Sequence, residues 1–385
     1  MHILILNTQL VFDSRFGDES LGQKLAAQFV KMGHDVRLVV PADFALDQLQ
    51  TPLAKRLTPV SVQMNGTTID YNRFDTRTNA GVELRLLQSQ SDSPDAYGPI
   101  ALGQAVDQLI AGMDFTPEIA IIFDNRVSVQ QNIGKCSKKI AAITDSSLAD
   151  ALAGNKLPWN AEQMDRILVH GPVLSGKLLE AAPESPLAKA IRTGKAEVLP
   201  LCGISATVSG SHKRSAKASL QTALGLPVSN DIPLFYLNVP LAHCVDVLPG
   251  ILTQQIQVIC KCETEALDDL LQTYPDRLCV VPSDSRDITL VNAVDFCVLQ
   301  NQSDVIASLL ARTIPIAPWE NNFAIMELSP DAGSGTGILY TGGEMEKAIG
   351  KALGLHSNST ALNALRQRLP HTVVPLETIA QHYLN

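Results

Sequence analysis

The chain has 385 residues, and its 39 acidic and 30 basic side chains give a formal net charge of −9 at pH 7. That charge argues against nucleic acid or an anionic membrane as the main partner. No run of sequence approaches the roughly 20 apolar residues of a membrane span, and the N-terminus lacks the basic region and cleavage site of a signal peptide. We therefore expect a cytoplasmic protein of two or three domains, since one core rarely grows past about 250 to 300 residues.

The cysteines agree with that compartment. There are seven, an odd number, and several lie in apolar strand-like runs, so we predict buried, reduced thiols. Cys260 and Cys262 resemble half of a metal site, but no second Cys or His pair stands at a matching spacing. We predict neither a metal nor a cofactor.

The first forty residues predict a βαβ unit. Residues 2–7 are an apolar run of strand length, residues 20–32 are amphipathic and end at Gly33, and residues 35–40 read as a second strand stopped by Pro41. In such a unit, the turn after the first strand and the start of the helix direct free N–H groups to one spot. The spot suits an anionic ligand, although every doubly wound domain has this turn, occupied or not.

The rest of the first half continues the alternation. Strand-like runs at 119–123, 140–143, 167–169 and 197–200 are separated by helical patterns, which favours a parallel sheet covered on both faces. The stretch of about 60–90 contains Asn65-Gly66 and predicts antiparallel hairpins inserted into this domain.

The second half predicts another domain of the same kind. From 204 to 230 the composition becomes small and polar, and strand and helix patterns then alternate again from 234 to 317. The expected fold class is α/β, with two doubly wound, Rossmann-like parallel-sheet domains facing a cleft at the carboxyl ends of their strands.

Several segments resemble a known family. Residues 33–41 (GHDVRLVVP) are similar to the end of the first βαβ unit in bacterial glycogen and starch synthases, retaining glycosyltransferases of the GT-B fold. Further similar segments follow in the same order at 95–98 (DAYG), 116–119 (TPEI), 220–227 (LQTALGLP), 274–281 (YPDRLCVV), 293–296 (AVDF) and 335–340 (GTGILY). The resemblance implies an acceptor-side domain over 1–204, a nucleotide-sugar-side domain over 205–371, and a terminal helix in 372–385 that crosses back to the first domain.

The first domain departs from the family at its chemistry. Where the family has Lys-Thr-Gly-Gly-Leu to hold the sugar-nucleotide phosphates, this chain has Ser14-Arg15-Phe16-Gly17-Asp18, so Arg15 and Gly17 are the remaining candidate ligand contacts. The family's two histidine elements fall on residues 121–125 and on Thr144-Asp145. Neither histidine is kept, and Thr144 and Asp145 become candidate contacts in their place.

The second domain departs in the same way. The family's Arg and Lys for the diphosphate fall on residues 237–243, which offer only Asn238 and His243. Its carboxylate-bearing loop falls on residues 300–304, which leaves Asp304 and Glu320 as candidate catalytic carboxylates, with Asn301 and Ser303 as ligand contacts. Removing one fixed donor of this kind typically costs roughly 10² to 10³ in rate. The combined losses argue against normal turnover.

Two hypotheses remain open. In the first, the protein is a catalytically degenerate, glycogen-synthase-like scaffold that binds a glucan, a nucleotide or a protein partner. It predicts a cleft with little positive potential, lined by Asn238, Asn301, Ser303 and Thr144.

In the second hypothesis the protein is an active retaining glycosyltransferase that moves glucose from ADP- or UDP-glucose to a glucan or another acceptor. Arg15, His243, Asp304 and Glu320 would then serve as ligands, and Arg15 or Arg126 must face the cleft.

Weaker signals carry two interpretations each. His170 ends a strand, where it either lines the cleft or is incidental to a capped helix start. The glycine-rich run 333–337 precedes a strand-like run instead of a helix, which favours a tight turn over a phosphate loop. Trp159 and Trp319 either stack on a sugar or pack at a core or rim.

Overall fold

The structure is a computed structural model. It describes residues 1–7, 20–42, 58–64, 67–77, 80–89, 98–112, 115–123, 133, 135–144, 163–170, 172–203, 210–262, 267–282, 285, 287–299, 302–319, 325–329 and 331–385.

The N-terminal part of the chain forms a nine-stranded sheet of order β3-β4-β5-β2-β1-β6-β7-β8-β9. The seven strands from β5 to β9 in that order are parallel, and β3 and β4 extend one edge antiparallel. The strands are β1 (His2–Leu6), β2 (Asp35–Ala42), β3 (Thr58–Met64), β4 (Thr67–Arg77), β5 (Glu83–Ser89), β6 (Ile119–Ile122), β7 (Lys138–Ile143), β8 (Arg166–His170) and β9 (Ala196–Leu199).

The second strand is longer than the sequence predicts. Pro41 does not stop β2, which runs on to Ala42 and pairs with β5. Val39 O accepts a hydrogen bond from Asn7 N, so alternate residues 39 and 41 direct their backbone groups toward β1, which ends at Leu6. A proline at position 41 therefore forfeits no ladder hydrogen bond.

Apolar side chains cover both faces of the first sheet because its central strands are apolar throughout. On one face Leu4, Leu6, Ala120 and Ile122 are buried, and on the other Ile3, Ile5, Ile119 and Ile121. This two-sided burial is typical of parallel strands under helices. The described helices of this part are α1 (Leu21–Lys31), α2 (Gly98–Ala111), α3 (Pro172–Ala181) and α4 (Pro186–Arg192).

The second sheet has six strands, all parallel, in the order β13-β12-β11-β14-β15-β16. These strands are β11 (Leu234–Leu237), β12 (Gln257–Lys261), β13 (Leu278–Val281), β14 (Phe296–Val298), β15 (Ile314–Pro318) and β16 (Ile338–Tyr340). Its helices are α5 (Gly210–Ala223), α6 (Leu241–Ile251), α7 (Asp268–Thr273), α8 (Asp287–Ala293), α9 (Gln302–Leu310), α10 (Met345–Ser357) and α11 (Ser359–Arg368). They enclose a separate core with fully buried Phe235, Tyr236 and Phe296.

The last helix, α12 (Leu376–Leu384), packs on the first sheet. Ile379, Ala380 and Tyr383 belong to the same buried cluster as β1 and α1. Just before it, β17 (Val374–Pro375) pairs parallel with β10 (Cys202–Gly203). The chain thus returns from the second sheet to the first.

No described helix is long and apolar enough to cross a membrane. All seven cysteines are free thiols, five of them buried and the other two partly exposed.

Candidate functional site

The second sheet has its topological switch point between β11 and β14. The chain leaves β11 toward β12 on one side and later returns to β14 on the other. In open α/β sheets, ligands bind in the crevice outside the carboxyl ends of the strands at such a point. Asn238 follows β11 directly, and Asp304 lies in the first turn of α9, the helix that follows β14.

These two predicted residues are in contact. Asn238 N donates to Val298 O at 3.0 Å, and Asn238 Nδ2 donates to Asp304 Oδ2 at 3.1 Å. Asp304 is only 5 % exposed. Its carboxylate also lies in the first turn of a helix, where the positive end of the helix dipole favours an acidic side chain. Asp304 therefore ties α9 to the loop after β11 from inside the domain.

His243 is an exposed side chain on the first turn of α6, the helix that follows β11. The residue that precedes the helix is Pro240, whose side chain makes no capping hydrogen bond. His243 is accordingly accessible at the carboxyl edge of the sheet, whereas Asp304 is not.

Other candidates lie outside the described residues, namely Arg15, Gly17, Asp145, Asn301 and Glu320, together with Arg126. Ser303 belongs to α9 by its backbone, and Thr144 is a half-buried residue that follows β7. The structure therefore brings together Asn238 and Asp304 and leaves the grouping of the others a prediction.

The switch point of the second sheet is poor in fixed positive charge. Residues 238–243 and 299–304 contain neither lysine nor arginine. A diphosphate needs cations or convergent N–H groups to replace the water that solvates its charge. These two segments supply no such cation from their side chains.

One cation that the sequence did not single out lies where the two parts of the chain meet. Lys177, on α3 of the first part, donates from Nζ to Trp319 O at 2.8 Å. Its Nζ also lies 4.5 Å from the centroid of the Trp319 ring. Trp319 follows β15, and its side chain is exposed. One face of this indole therefore carries a cation–π contact. No local sequence pattern indicates this contact, because the partners are 142 positions apart.

The position of His170 disagrees with the interpretation that its side chain lines the cleft. It is 7 % exposed, its Nε2 lies 2.6 Å from the Tyr383 hydroxyl oxygen, and its ring stacks on that of Tyr383 with centroids 5.8 Å apart. Burial lowers the pKa of His170 to about 3. The side chain is a neutral, internal contact between β8 and α12, so the alternative of an incidental histidine is favoured.

The glycine-rich run 333–337 forms a tight turn. Gly335 has φ +87° and passes so close to residues 327–328 that a β-carbon there would lie 2.7 Å from Leu328 Cα. Arg368 holds the turn from α11, donating to three of its carbonyl oxygens, those of Ala332, Gly333 and Gly335. The guanidinium is used to fix backbone, which supports the tight-turn interpretation.

The switch point of the first sheet lies between β1 and β6, and its polar residue is Asn7. Asn7 is 2 % exposed and donates from Nδ2 to Ser20 Oγ at 2.7 Å. Ser20 caps α1 and Gln23 completes the capping box. A β-carbon at Gly22 would lie 2.7 Å from Asn7 Oδ1, so glycine is required for this close approach. Asn7 was missed by the sequence analysis because it reads as the last residue of an apolar strand.

Among the residues that the structure describes, no three His, Cys, Asp or Glu side chains are grouped to hold a metal ion.

The arrangement of two sheets resembles several solved structures over the whole chain. HepE from Anabaena in complex with UDP is similar with a TM-score of 0.60 and 12 % identity, covering 100 % of this chain and 98 % of that one. UDP-GlcNAc 2-epimerase from Neisseria meningitidis bound to UDP-GlcNAc has a TM-score of 0.56 at 8 % identity, covering 100 % and 99 %. A TarM mutant from S. aureus in complex with fondaparinux, alpha-GlcNAc-glycerol and UDP has 0.53 at 8 %, covering 100 % and 99 %.

These similarities confirm the predicted fold class, the GT-B fold with two doubly wound domains. No family model matches the chain, and no curated protein matches it. The narrower resemblance to glycogen and starch synthases stays a prediction.

Proposed function

We propose that this protein uses its GT-B scaffold to bind a nucleotide or nucleotide sugar at the switch point of the second sheet, without normal glycosyl transfer. In this proposal residues 1–204 form the acceptor side, residues 205–371 the nucleotide side, and residues 372–385 the crossing helix. The similar structures of HepE and TarM hold UDP, which makes UDP the first ligand to test.

The observation that carries the proposal is the hydrogen bond between Asn238 Nδ2 and Asp304 Oδ2. A carboxylate that acts on a substrate must reach the reacting group, within about 2.6 to 3.2 Å. Asp304 is 5 % exposed and already engaged within the domain. This geometry supports a role in holding the ligand-facing loop over a role in catalysis.

The lack of lysine and arginine in the two segments at the switch point also supports binding without normal transfer. Transfer from a nucleotide sugar leaves charge on the departing diphosphate, and each missing donor costs roughly 10² to 10³ in rate. Residues 238–243 and 299–304 supply no lysine or arginine. Binding tolerates this loss better than turnover does, because the nucleoside contributes contacts that do not depend on phosphate charge. A glucan or a protein partner remains a further candidate ligand of the same scaffold.

The alternative is an active retaining glycosyltransferase, and two observations favour it. Lys177 brings a cation to the Trp319 ring between the two parts of the chain, and His243 is exposed on the first turn of α6. If the donor phosphates reach these residues, part of the missing charge is restored by groups that differ from the family's.

The test is calorimetric titration with UDP, UDP-glucose, ADP-glucose and a malto-oligosaccharide, with a radiolabelled glucose transfer assay on the same sample. We expect saturable binding of UDP, weakened by Asn238→Ala, and no transfer above background. Asp276→Asn is the matched control for Asp304→Asn, because Asp276 is an exposed carboxylate before β13 at the opposite edge of the sheet.

Two results would overturn the proposal. Transfer that is lost in Asp304→Asn but kept in Asp276→Asn would establish the active enzyme. If neither UDP nor either nucleotide sugar binds, a nucleotide is excluded as the ligand. Glucan binding in the same titrations would then identify a glucan as the ligand class.

A further inference from the structure

A second cavity lies at the amino edge of the second sheet, opposite the switch-point crevice. It has a volume of about 680 Å³. It opens beside the residues that precede β11 and β14, between α5, α10 and α11. Five cationic side chains line it, namely Lys213, Arg214, Lys217, Arg312 and Arg366. This concentration of positive charge is notable in a chain whose formal net charge is −9.

The carboxylates at the cavity do not balance these cations. Asp295, which is buried, accepts from Lys217 Nζ at 2.7 Å and from an Arg366 terminal nitrogen at 2.5 Å, so one carboxylate is shared by two cations. Among the described residues, the one other carboxylate that lines the cavity is Asp231, which is exposed at the rim. Arg214 and Arg312 have no carboxylate partner among the described residues.

Lys213 is buried like Lys217, but it has no carboxylate partner among the described residues. It is 5 % exposed, and its Nζ donates to Ala311 O at 3.1 Å and to Thr313 Oγ1. Both acceptors are uncharged. A buried ammonium without a bonded carboxylate is unfavourable unless an anion reaches it, so an anion in the cavity would favour the protonated form of Lys213.

Two guanidinium groups leave donors unused. The Nε atoms of Arg312 and Arg366 are buried and have no hydrogen-bond acceptor within the described part of the chain. Buried polar groups in folded proteins are nearly always paired, and each exception calls for an explanation.

The backbone at Arg312 is a further, independent observation. Arg312 has φ 59°, a left-handed conformation that non-glycine residues adopt only at a cost. It follows α9 in the αL position of a Schellman turn, where Arg312 N donates to Leu309 O and Thr313 N donates to Ser308 O. Glycine is the usual residue there. An arginine in its place carries a strained backbone while its side chain lines the cavity.

We propose that this cavity binds a phosphorylated small molecule, a phosphate ester with at least two negative charges. Arginine pairs with phosphate oxygens through its fork of donors, and α11 begins at the cavity with its positive end, at Ser359. Asn230, Asn363 and Gln367 line the remainder and offer amide partners for hydroxyl groups. The volume lies within the range of small-molecule sites.

The site is independent of the proposed nucleotide crevice, so either proposal can fail alone. The probes are ribose 5-phosphate and inorganic pyrophosphate, titrated calorimetrically into the full chain, with ribose as the uncharged comparison. We expect each phosphate compound to bind in a 1:1 ratio and ribose not to bind. Arg312→Gln and Arg214→Gln should each weaken binding about tenfold or more, because each removes a charge-assisted contact.

Arg192→Gln is the matched control, since it removes the same charge from an exposed position on α4. Arg312→Gly guards against a trivial loss through unfolding. Glycine relieves the positive φ, so this variant should melt no lower than the parent protein and still bind less tightly. The proposal is overturned if neither phosphate compound binds saturably at millimolar concentration, or if binding is equal in the parent, Arg312→Gln and Arg214→Gln.

Discussion

The Tyr383 hydroxyl and His170 Nε2 share a hydrogen bond of 2.6 Å across 213 positions of sequence. It joins the carboxyl end of β8 to α12, the helix that returns from the second domain. Around it, Arg166 donates to His382 O at 2.8 Å and Lys138 lies near the last carbonyl oxygens of the same helix. Positive groups at a helix C-terminus are favourable, so the return of the chain is fixed by both packing and charge.

Tyr383→Phe tests this contact. It removes one hydroxyl, leaves the ring stacking, and strands a buried histidine nitrogen, for which we expect a loss of about 1 to 3 kcal/mol in the free energy of unfolding. Urea denaturation measures it. Tyr274→Phe is the control, because the Tyr274 hydroxyl makes no hydrogen bond to the described residues, and it should change stability by less than about 0.5 kcal/mol. Equal effects of the two substitutions would contradict a role for the His170 contact.

The same histidine predicts acid sensitivity. Burial lowers the pKa of His170 from 6.5 to about 3. Between these values the unfolded chain binds a proton that the folded protein excludes, so stability falls as pH drops from 6.5 toward 3. Unfolding free energies measured at pH 7 and pH 4.5 should differ less in His170→Gln than in the parent. His371→Gln, at an exposed histidine, should keep the parent's difference. If the stability of His170→Gln depended on pH as strongly as that of the parent, the acid sensitivity could not be assigned to His170.

The pair of Asn238 and Asp304 gives a coupling prediction. Because their side chains share a hydrogen bond of 3.1 Å, the effects of Asn238→Ala and Asp304→Ala on stability should not add. We expect a coupling free energy of about 1 to 3 kcal/mol in a double-mutant cycle, the range for a hydrogen bond to a charged group. The matched cycle pairs Asn238→Ala with Asp276→Ala, which should be additive. If the effects were additive in both cycles, the side chains of Asn238 and Asp304 would have no energetic interaction, which would contradict the prediction.

The sequence predicts the two sheets well because their central strands are continuous apolar runs. Residues such as Ile119 to Ile122 and Phe235 to Leu237 are buried on both faces. Few arrangements other than a parallel sheet between helices bury such short, fully apolar runs. Pro41 is the exception in the first sheet. A proline usually ends a strand, but here the neighbouring strand β1 ends before it reaches Pro41. The length of a neighbouring strand cannot be predicted from the sequence of one segment.

The candidate site is only partly predictable. The sequence indicates Asn238 and Asp304 as candidates, yet their contact depends on the strand order that places β11 beside β14. The local sequence around Lys177 does not indicate its contact with Trp319, because Trp319 is distant in sequence and belongs to the other part of the chain. The cationic cavity was missed for the same reason. Lys213 and Thr313 are 100 positions apart, and local pattern carries no information about such pairs.

The turn at Gly335 predicts a position that tolerates no side chain. Gly335→Ala would place a β-carbon in collision with the Glu327 carbonyl oxygen at a positive φ of +87°. We expect a loss of about 2 kcal/mol or more, because strain and a steric clash combine. Gly194→Ala is the control. Its φ is +72°, but its β-carbon meets nothing within 4 Å, so only the backbone strain of about 1 kcal/mol remains. The difference in melting temperature between the two variants measures the clash, and equal melting temperatures would contradict the tight packing.

Binding of a phosphate ester in the cationic cavity should depend on pH through Lys213. Burial lowers the pKa of Lys213 to about 7, with Arg366 and Lys217 acting in the same direction and Asp295 and Cys297 opposing them. An anion beside the ammonium favours its charged form. The free protein therefore holds Lys213 largely neutral above pH 7, and the complex takes up a proton.

The histidine at the cavity does not share this titration, because burial lowers the pKa of His356 and leaves it neutral above pH 7. The cavity is also lined by the charged side chains of Arg214, Arg312 and Arg366. Ribose 5-phosphate should consequently bind more tightly at pH 7 than at pH 9. Calorimetry in two buffers of different ionisation enthalpy should show proton uptake at pH 8. Lys213→Gln should abolish both the uptake and the pH dependence, whereas an unchanged pH profile in that variant would assign the titration to another group.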